Sequence, residues 1–175
     1  MTAAPVLDPQ RTALVLVDLM ERIVALPLEP RKGTEVLASA QELAHTFRTA
    51  GAPVVLVRVE RPSVAEQPPG SGLVPGLAGP GDLEVVKRTI GAFQGTGLDE
   101  HLRERGVTTL VFGGIATNLG VESTARAAAD LGYELVFVED AMAAFTAAEH
   151  EASVRLDFPR LGTVVTAAGV RLTPA

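Results

Sequence analysis

Short, continuous apolar runs alternate along the chain with longer segments in which apolar residues recur at helical spacing. We predict strands at residues 12–17, 54–59, 83–86, 108–112 and 134–138, and a weaker one at residues 163–166. Residues with β-branched side chains are frequent in these runs and do not alternate with polar ones. This pattern is typical of strands buried on both faces of a parallel sheet.

The segments between these runs have the apolar periodicity of helices. Helices are predicted at residues 34–50, 98–105 and 118–131, and each is followed by a capping glycine: Gly51, Gly106 and Gly132. Thr146 and Glu149 have the spacing of a capping box that opens a last helix. The alternation of strand and helix predicts a three-layer α/β fold with right-handed crossovers.

One segment departs from this alternation. Residues 61–82 contain five prolines and five glycines and have no periodicity. A loop of this length inside a domain is usually either functional or disordered. We interpret it as a lid or a partner-contact loop, and a mobile surface loop is the alternative.

Length and composition narrow the class of protein. A chain of 175 residues is expected to form a single domain, residues 1–175. The net charge of −6 and the low aromatic content of 4% argue against nucleic acid as a partner. No apolar segment reaches the roughly 20 residues of a membrane span. Residues 1–10 lack the features of a secretory signal, so we expect a cytoplasmic protein without membrane contact.

The absence of cysteine excludes several kinds of site. Disulfides, thiolate metal sites and a thiol nucleophile are all ruled out. The three histidines, His45, His101 and His150, are too far apart in sequence for a paired-histidine zinc motif. We therefore expect neither a metal nor a cofactor, and none of the histidines lies where a catalytic base is expected.

Candidate chemistry lies at the ends of the predicted strands, where parallel sheets bind ligands. Asp18 directly follows a buried run, so its carboxylate needs a partner. Lys87 ends the run at residues 83–86 and can supply that partner, and its ammonium would lower the pKa of Asp18. The pair is either catalytic or a structural ion pair. Asp140, which follows another strand, is interpreted as structural.

A glycine-rich turn at residues 113–120 joins a predicted strand to the helix that follows it. Its backbone N–H groups and the helix dipole predict an anion or oxyanion site. The glycines have the spacing of neither a dinucleotide fingerprint nor a P-loop. The alternative is that glycine is needed only for close packing of helix on strand.

Three blocks of the sequence resemble the isochorismatase-like hydrolases, also called cysteine hydrolases. They are LVLVDLM at residues 14–20, VVKRTIGAFQGTGLDEHLRERG at residues 85–106 and GGIATNLGVESTARAAADLGYELVFVEDAMAA at residues 113–144. The resemblance runs from about residue 12 to the C-terminus and is weakest in the Pro/Gly-rich loop. It implies a Rossmann-like fold with a mainly parallel sheet of about six strands. It also implies a homodimer or homotetramer, because members commonly assemble.

The triad of that family consists of Asp, Lys and Cys. By the resemblance, Asp18 and Lys87 match the first two, and Gly120 stands at the position of the nucleophilic Cys. The resemblance also implies a cis peptide bond between Ile115 and Ala116. We expect the substrate or an oxyanion to contact the following residues: Phe93, Ile115, Ala116, Thr117, Asn118 and Leu119.

Departures from the family pattern bear on the reaction. The thioester mechanism cannot operate without a thiol, and residues 58–69 contain no Asp or His of the amidases' zinc motif. Some members lack the Cys and protonate a vinyl ether with the Asp, but they have Tyr-Ala-His in the turn and Gln-Pro after the second strand. This chain has Ile-Ala-Thr-Asn in the turn and Arg61 before Pro62, and Met20 stands where many members have Gln. Isochorismate itself is therefore not the expected substrate.

Three hypotheses follow for the function. The first is a hydrolase that acts on a small molecule by acid–base catalysis with Asp18 and Lys87, without a thiol nucleophile. Because Lys87 lowers the Asp18 pKa, the sequence favours a water-activating base in the free protein. The alternative is a catalytically silent pseudoenzyme of the same fold that binds a small molecule. A nucleotide-binding module is disfavoured, because no phosphate fingerprint is present.

Overall fold

The computed structural model describes residues 5–173, so both ends of the predicted 1–175 domain lie outside the described residues. Its strands are β1 (Val6–Leu7), β2 (Thr12–Val17), β3 (Val54–Val59), β4 (Leu83–Lys87), β5 (Thr109–Ile115), β6 (Glu134–Ala143), β7 (Thr163–Val165) and β8 (Arg171–Leu172). Six of them form one sheet in the order β4-β3-β2-β5-β6-β7, and every neighbouring pair is parallel. The predicted α/β fold with about six parallel strands is confirmed.

Helices connect these strands. They are α1 (Glu21–Val24), α2 (Gly33–Thr49), α3 (Leu98–Glu104), α4 (Glu122–Asp130), α5 (Ala147–Ala152) and α6 (Phe158–Leu161). Half of the predicted capping box forms: the Thr146 hydroxyl accepts the Glu149 backbone N–H at 3.2 Å. The Glu149 carboxylate accepts a hydrogen bond from the Thr146 hydroxyl, at 2.8 Å, instead of from its backbone N–H. None of the helices within residues 5–173 has the combination of length and apolar character that crossing a membrane requires.

Two apolar layers cover the sheet, one on each face. In the first, Val36, Leu43 and Phe47 of α2 pack with residues of β2, β3 and β5 that face the same way. In the second, residues of α3, α4 and α6 pack on the opposite face, where Phe137 stacks on Phe158 with ring centroids 4.0 Å apart. Because both faces are covered, the central strands β2 and β5 are buried along their whole length, which explains their continuous apolar runs.

The order of the strands fixes where a ligand can bind. From β2 the chain builds outward to β3 and β4, then crosses over to β5 and continues in the other direction. The crevice of such a sheet lies beyond the carboxyl ends of the two strands at which the direction changes, here β2 and β5. The two strands approach closely: Gly114 has φ +127°, and a Cβ there would lie within van der Waals overlap of the Val17 carbonyl.

The structure differs from the sequence prediction in several elements. The predicted helix at residues 118–131 begins as a π-helical turn, Thr117–Val121, and continues as α4. A second π-helical turn, Ser153–Asp157, lies between α5 and α6. Strand β6 runs on to Ala143, and the short helix α1 and the parallel β1–β8 pair were not predicted. These additions are too short for periodicity to detect.

The Pro/Gly-rich loop is fixed in its second half. Val74 N–H donates to the Leu19 carbonyl at 3.0 Å, and the N–H groups of Glu21 and Arg22 donate to carbonyls of this loop at 3.1 and 3.0 Å. Leu77 is fully buried. The loop therefore packs beside α1, next to the carboxyl end of β2.

Candidate active site

Asp18 is the first residue after β2 and lies in the crevice. Its backbone N–H continues the sheet by donating to the Val57 carbonyl at 2.8 Å. Its φ of 55° is in the left-handed region, which residues with a side chain rarely adopt. Such backbone strain costs about 1–3 kcal/mol and persists where the surroundings enforce it. The turn gives the Asp18 carboxylate a fixed position.

Lys87 ends the edge strand β4 and reaches the same position. Its side chain is 2% exposed, and its Nζ lies 2.9 Å from Asp18 Oδ2. The ammonium also donates to the carbonyls of Ile90 and Thr89 at 2.8 and 3.3 Å. These three contacts match the three protons of an ammonium group. The structure therefore brings together two charged side chains that are 69 positions apart in the sequence.

Burial controls the protonation of Asp18. The pKa of the carboxyl is raised from its usual value, chiefly because burial disfavours the charged form. Lys87 opposes this effect through its charge and its hydrogen bond, and Arg22 opposes it through its charge. Lys87 thus lowers the pKa as predicted, but burial outweighs it, and the sequence did not show how deeply the pair is buried. The second carboxyl oxygen, Oδ1, is buried and has no hydrogen-bond partner within residues 5–173.

Gly120 lies in the π-helical turn and faces Asp18. A Cβ at this position would stand 3.1 Å from Asp18 Oδ2 and 3.0 Å from Val17 Cγ1. The Gly120 carbonyl accepts the Thr124 hydroxyl at 2.6 Å, which ties the turn to α4. Any side chain at residue 120 would therefore contact the Asp18 carboxylate directly.

The turn before Gly120 contains all the predicted contact residues except Phe93. The peptide bond between Ile115 and Ala116 is cis. The Leu119 N–H donates to the Ala116 carbonyl at 3.1 Å, so this amide is already paired. The Asn118 side-chain oxygen Oδ1 is buried and has no hydrogen-bond partner among the described residues.

Thr117 makes a buried contact that the sequence did not indicate. Its hydroxyl lies 2.8 Å from His150 Nδ1, and both residues are almost fully buried. Burial and the charge of Arg31 lower the pKa of His150 to about 4, so the imidazole is neutral at pH 7. His150 thus links helix α5 to the turn that holds Gly120. Only the tertiary structure shows this, since the two residues are 33 positions apart.

A cavity of about 350 Å³ opens above the Asp18–Lys87 pair. Of the predicted site residues, Asp18, Lys87, Ile115, Ala116, Leu119 and Gly120 line it. Thr117, Asn118 and Phe93 are not among its lining residues. The Phe93 ring packs toward Tyr133 instead, with centroids 6.1 Å apart, because it belongs to the apolar layer beneath α3 and α4.

Further residues, which the sequence analysis did not assign to the site, complete the cavity wall. The apolar ones are Ile23 of α1, Ile90 after β4 and Phe145 after β6. The charged ones are Glu60, Arg61 and Arg88. Most of them follow strand ends, which is the signal that could have found them. Within residues 5–173 no group of three or more His, Asp or Glu side chains is placed to hold a metal ion.

Comparison with known proteins agrees with this architecture. The isochorismatase domain matches residues 12–169. The isochorismatase family protein YecD of Escherichia coli O157:H7 is 41% identical, over 90% of this chain and 93% of that protein. The chain therefore belongs to the isochorismatase family of hydrolases.

Two solved structures show how closely the fold is shared. An isochorismatase family protein from Burkholderia thailandensis superposes with a TM-score of 0.84 at 39% identity, covering 96% of this chain and 97% of that one. The N-carbamoylsarcosine amidase of Thermoplasma acidophilum superposes with a TM-score of 0.77 at 27% identity, covering 90% of this chain and 96% of that one.

Proposed function

We propose that the protein hydrolyses a small molecule by acid–base catalysis with Asp18 and Lys87, without a covalent intermediate on a thiol. The observation that carries this proposal is the buried Asp18–Lys87 pair, 2.9 Å apart, which lines a cavity of about 350 Å³. An ion pair with a purely structural role is expected to be enclosed by packed side chains, whereas this pair lines a cavity. A perturbed carboxyl in a cleft is a recognised sign of function.

Asp18 is the group that moves the proton. The sequence favoured an ionised Asp18 that activates water. The raised pKa of its carboxyl shifts the balance toward the protonated form, and the protonated form is the one that can donate a proton. With a vinyl ether, Asp18 would protonate the double bond, water would add to the resulting oxocarbenium ion, and the Asp18 carboxylate would take the proton from that water. The hemiketal would then break its ether C–O bond, with Asp18 passing the hydroxyl proton to the leaving oxygen, and give a carbonyl compound and an alcohol. With an ester or amide, the carboxylate would take a proton from the attacking water and return it to the leaving group. Each cycle consumes one water and restores Asp18.

Lys87 holds the carboxylate in place. All three of its protons are directed at Asp18 and at two backbone carbonyls, so its orientation is fixed by hydrogen bonds. The charge of the ammonium offsets part of the desolvation cost of an ionised Asp18 in this buried site. We assign it the role of a positioning residue that also adjusts the acidity of Asp18.

Gly120 makes room for water where the family has its Cys. A Cβ at this position would stand 3.1 Å from Asp18 Oδ2 and 3.0 Å from Val17 Cγ1, so the Cβ position itself is too confined for a free molecule. We propose that the attacking water, or the substrate atom that receives the proton, lies in the cavity beside Asp18, in the space that the outer part of a longer side chain at residue 120 would occupy. The N-terminal end of the helical segment that begins at Thr117 would stabilise negative charge developing beside Ala116 and Gly120.

The same observation at Gly120 also favours a second candidate, a pseudoenzyme that binds its ligand without turnover. A panel of vinyl ethers, esters and amides separates the two. The proposed function predicts hydrolysis by the wild-type protein, with no covalent adduct in the intact mass during turnover. Ligands that raise the melting temperature but are never hydrolysed would support the pseudoenzyme.

Assembly into a homodimer or homotetramer stays a prediction. Leu119 and Phe145 are 43% and 46% exposed at the cavity wall, so apolar surface is present there. Light scattering at micromolar concentration is the measurement, and a monomer would contradict the prediction.

A further inference from the structure

The charge of the cavity is opposite in sign to that of the whole chain. The chain carries a net charge of −6. The cavity is lined by two carboxylates, Asp18 and Glu60, and by three cations, Arg61, Lys87 and Arg88. The lining therefore has a surplus of one positive charge, and a surplus of one sign in a cleft attracts ligands of the other sign. The site is therefore suited to an anion.

The ion pairs show which cation carries the surplus charge. Lys87 is paired with Asp18 at 2.9 Å. Glu60 is paired with both Arg58, at 2.7 Å, and Arg88, at 2.9 Å. Arg61 has no carboxylate within ion-pair distance among residues 5–173, and it is exposed. The positive charge left unmatched at the cavity is that of Arg61.

The side chain of Gln67 fixes the backbone of Arg61. Its carbonyl oxygen accepts the Arg61 backbone N–H at 2.9 Å, and its amide nitrogen donates to the Arg61 carbonyl at 3.0 Å. Residues 62–66 between them are all exposed. The two hydrogen bonds close this exposed loop at its base. They hold residue 61 against the cavity although the loop itself has few contacts.

The remaining wall is mainly apolar. Its apolar residues include Ile23, Ile90, Ile115, Leu119 and Phe145. We propose that the cavity binds a small molecule with an apolar body and one carboxylate, that Arg61 pairs with this carboxylate, and that Gln67 is the positioning residue for Arg61. The binding itself does not depend on the proposed function. If the protein is a hydrolase as proposed, this molecule is also its substrate.

Benzoate and its neutral counterpart nitrobenzene are suitable probes, because they have nearly the same shape, differ in charge and cannot be hydrolysed. Calorimetric titration at low ionic strength is expected to show benzoate binding roughly 3- to 10-fold more tightly than nitrobenzene. Arg61→Gln should abolish this preference, and Arg61→Lys should keep most of it. Gln67→Leu should weaken benzoate binding without a change in melting temperature. Arg171→Gln removes an exposed charge on the separate β1–β8 pair and should leave the preference intact.

Added salt supplies a further readout, because screening should reduce the preference for benzoate as ionic strength rises. Equal binding of the two probes by the wild type, or no binding of benzoate, would overturn the proposal. An equal loss in Arg61→Gln and Arg171→Gln would overturn it as well, because the whole field would then be responsible. The titration needs no turnover. It can therefore fail while Asp18-dependent hydrolysis stands, and it can succeed in a protein that hydrolyses nothing.

Discussion

Replacing Lys87 with methionine removes the charge from the buried pair and keeps an unbranched side chain of similar length. The two side chains are only 2% and 10% exposed, so water cannot take the place of the lost ammonium. Removing one partner of a buried ion pair costs about 3–5 kcal/mol, because the other charge is left uncompensated. The carbonyls of Thr89 and Ile90 also lose a donor. We therefore expect Lys87→Met to lower the free energy of unfolding by about 3–5 kcal/mol at pH 8.

The loss should depend on pH, because Asp18 can escape the penalty by binding a proton. The pKa of Asp18 in the folded protein lies above its usual value of 3.8, so the folded state binds the proton more tightly than the unfolded chain. Stability therefore falls as pH rises from the unfolded pKa through the folded one. Without Lys87 the folded pKa rises further, and this decline extends to higher pH. Near pH 4 only the lost hydrogen bonds remain, worth roughly 1–3 kcal/mol.

Urea unfolding of the wild type and Lys87→Met at pH 4, 6 and 8 measures this difference. The double variant Asp18→Asn/Lys87→Met serves as the control, since it contains neither charge and should recover most of the stability lost at pH 8. An equal loss at all three pH values, or no recovery in the double variant, would refute the account of a desolvated, uncompensated carboxylate.

Three further predictions concern the turn and the core. Gly120→Cys should introduce a thiol that iodoacetamide alkylates faster than free cysteine at pH 7, because it stands at the start of a helical segment; an unreactive thiol would contradict this. Thr117→Val should cost roughly 1–3 kcal/mol of unfolding free energy, because it leaves His150 unpaired, whereas Thr117→Ser should be nearly neutral in urea unfolding. Phe158→Ala should lower the free energy of unfolding by about 3–5 kcal/mol, because its fully buried ring stacks on Phe137. A loss below about 1 kcal/mol in urea unfolding would contradict this, because the neighbouring side chains would then have filled the space left by the ring.

Strands and their ends were predictable, because a strand buried on both faces leaves a continuous apolar run in the sequence. Asp18 was recognisable as a polar residue at the end of such a run, and Lys87 as its partner. The π-helical turn at Thr117–Val121 was not predictable, because five residues are too few to separate its period from that of an α-helix. Helix α1, which brings Ile23 to the cavity, has four residues and leaves no periodic signal.

The pKa of Asp18 was harder to predict than which residues form the site. The sequence shows that Asp18 has a cationic partner, but only the structure shows that burial outweighs this partner in setting the pKa. The buried Thr117–His150 contact and the two Gln67 hydrogen bonds join residues across helices and loops that the sequence leaves unpositioned. Phe93 illustrates the converse: it lies in a block that resembles the family, yet its ring packs in the core toward Tyr133.

The central claim is that Asp18 transfers the proton in the reaction. The direct measurement is kcat for Asp18→Asn on a substrate that the wild type hydrolyses, with the fold checked by circular dichroism and melting temperature. Asn keeps the shape of the side chain, removes its charge and cannot relay a proton. Asp140→Asn is the matched control, because Asp140 lies outside the cavity and accepts a hydrogen bond from Ala167 N–H at 2.7 Å.

We expect Asp18→Asn to remain folded with a lowered melting temperature, because Lys87 loses its buried partner, and to lose about 10²- to 10⁴-fold in kcat, the usual contribution of general acid–base catalysis. Asp140→Asn should keep wild-type kcat. Full activity in a folded Asp18→Asn variant would contradict the account, because Asp18 would then be only the structural partner of Lys87.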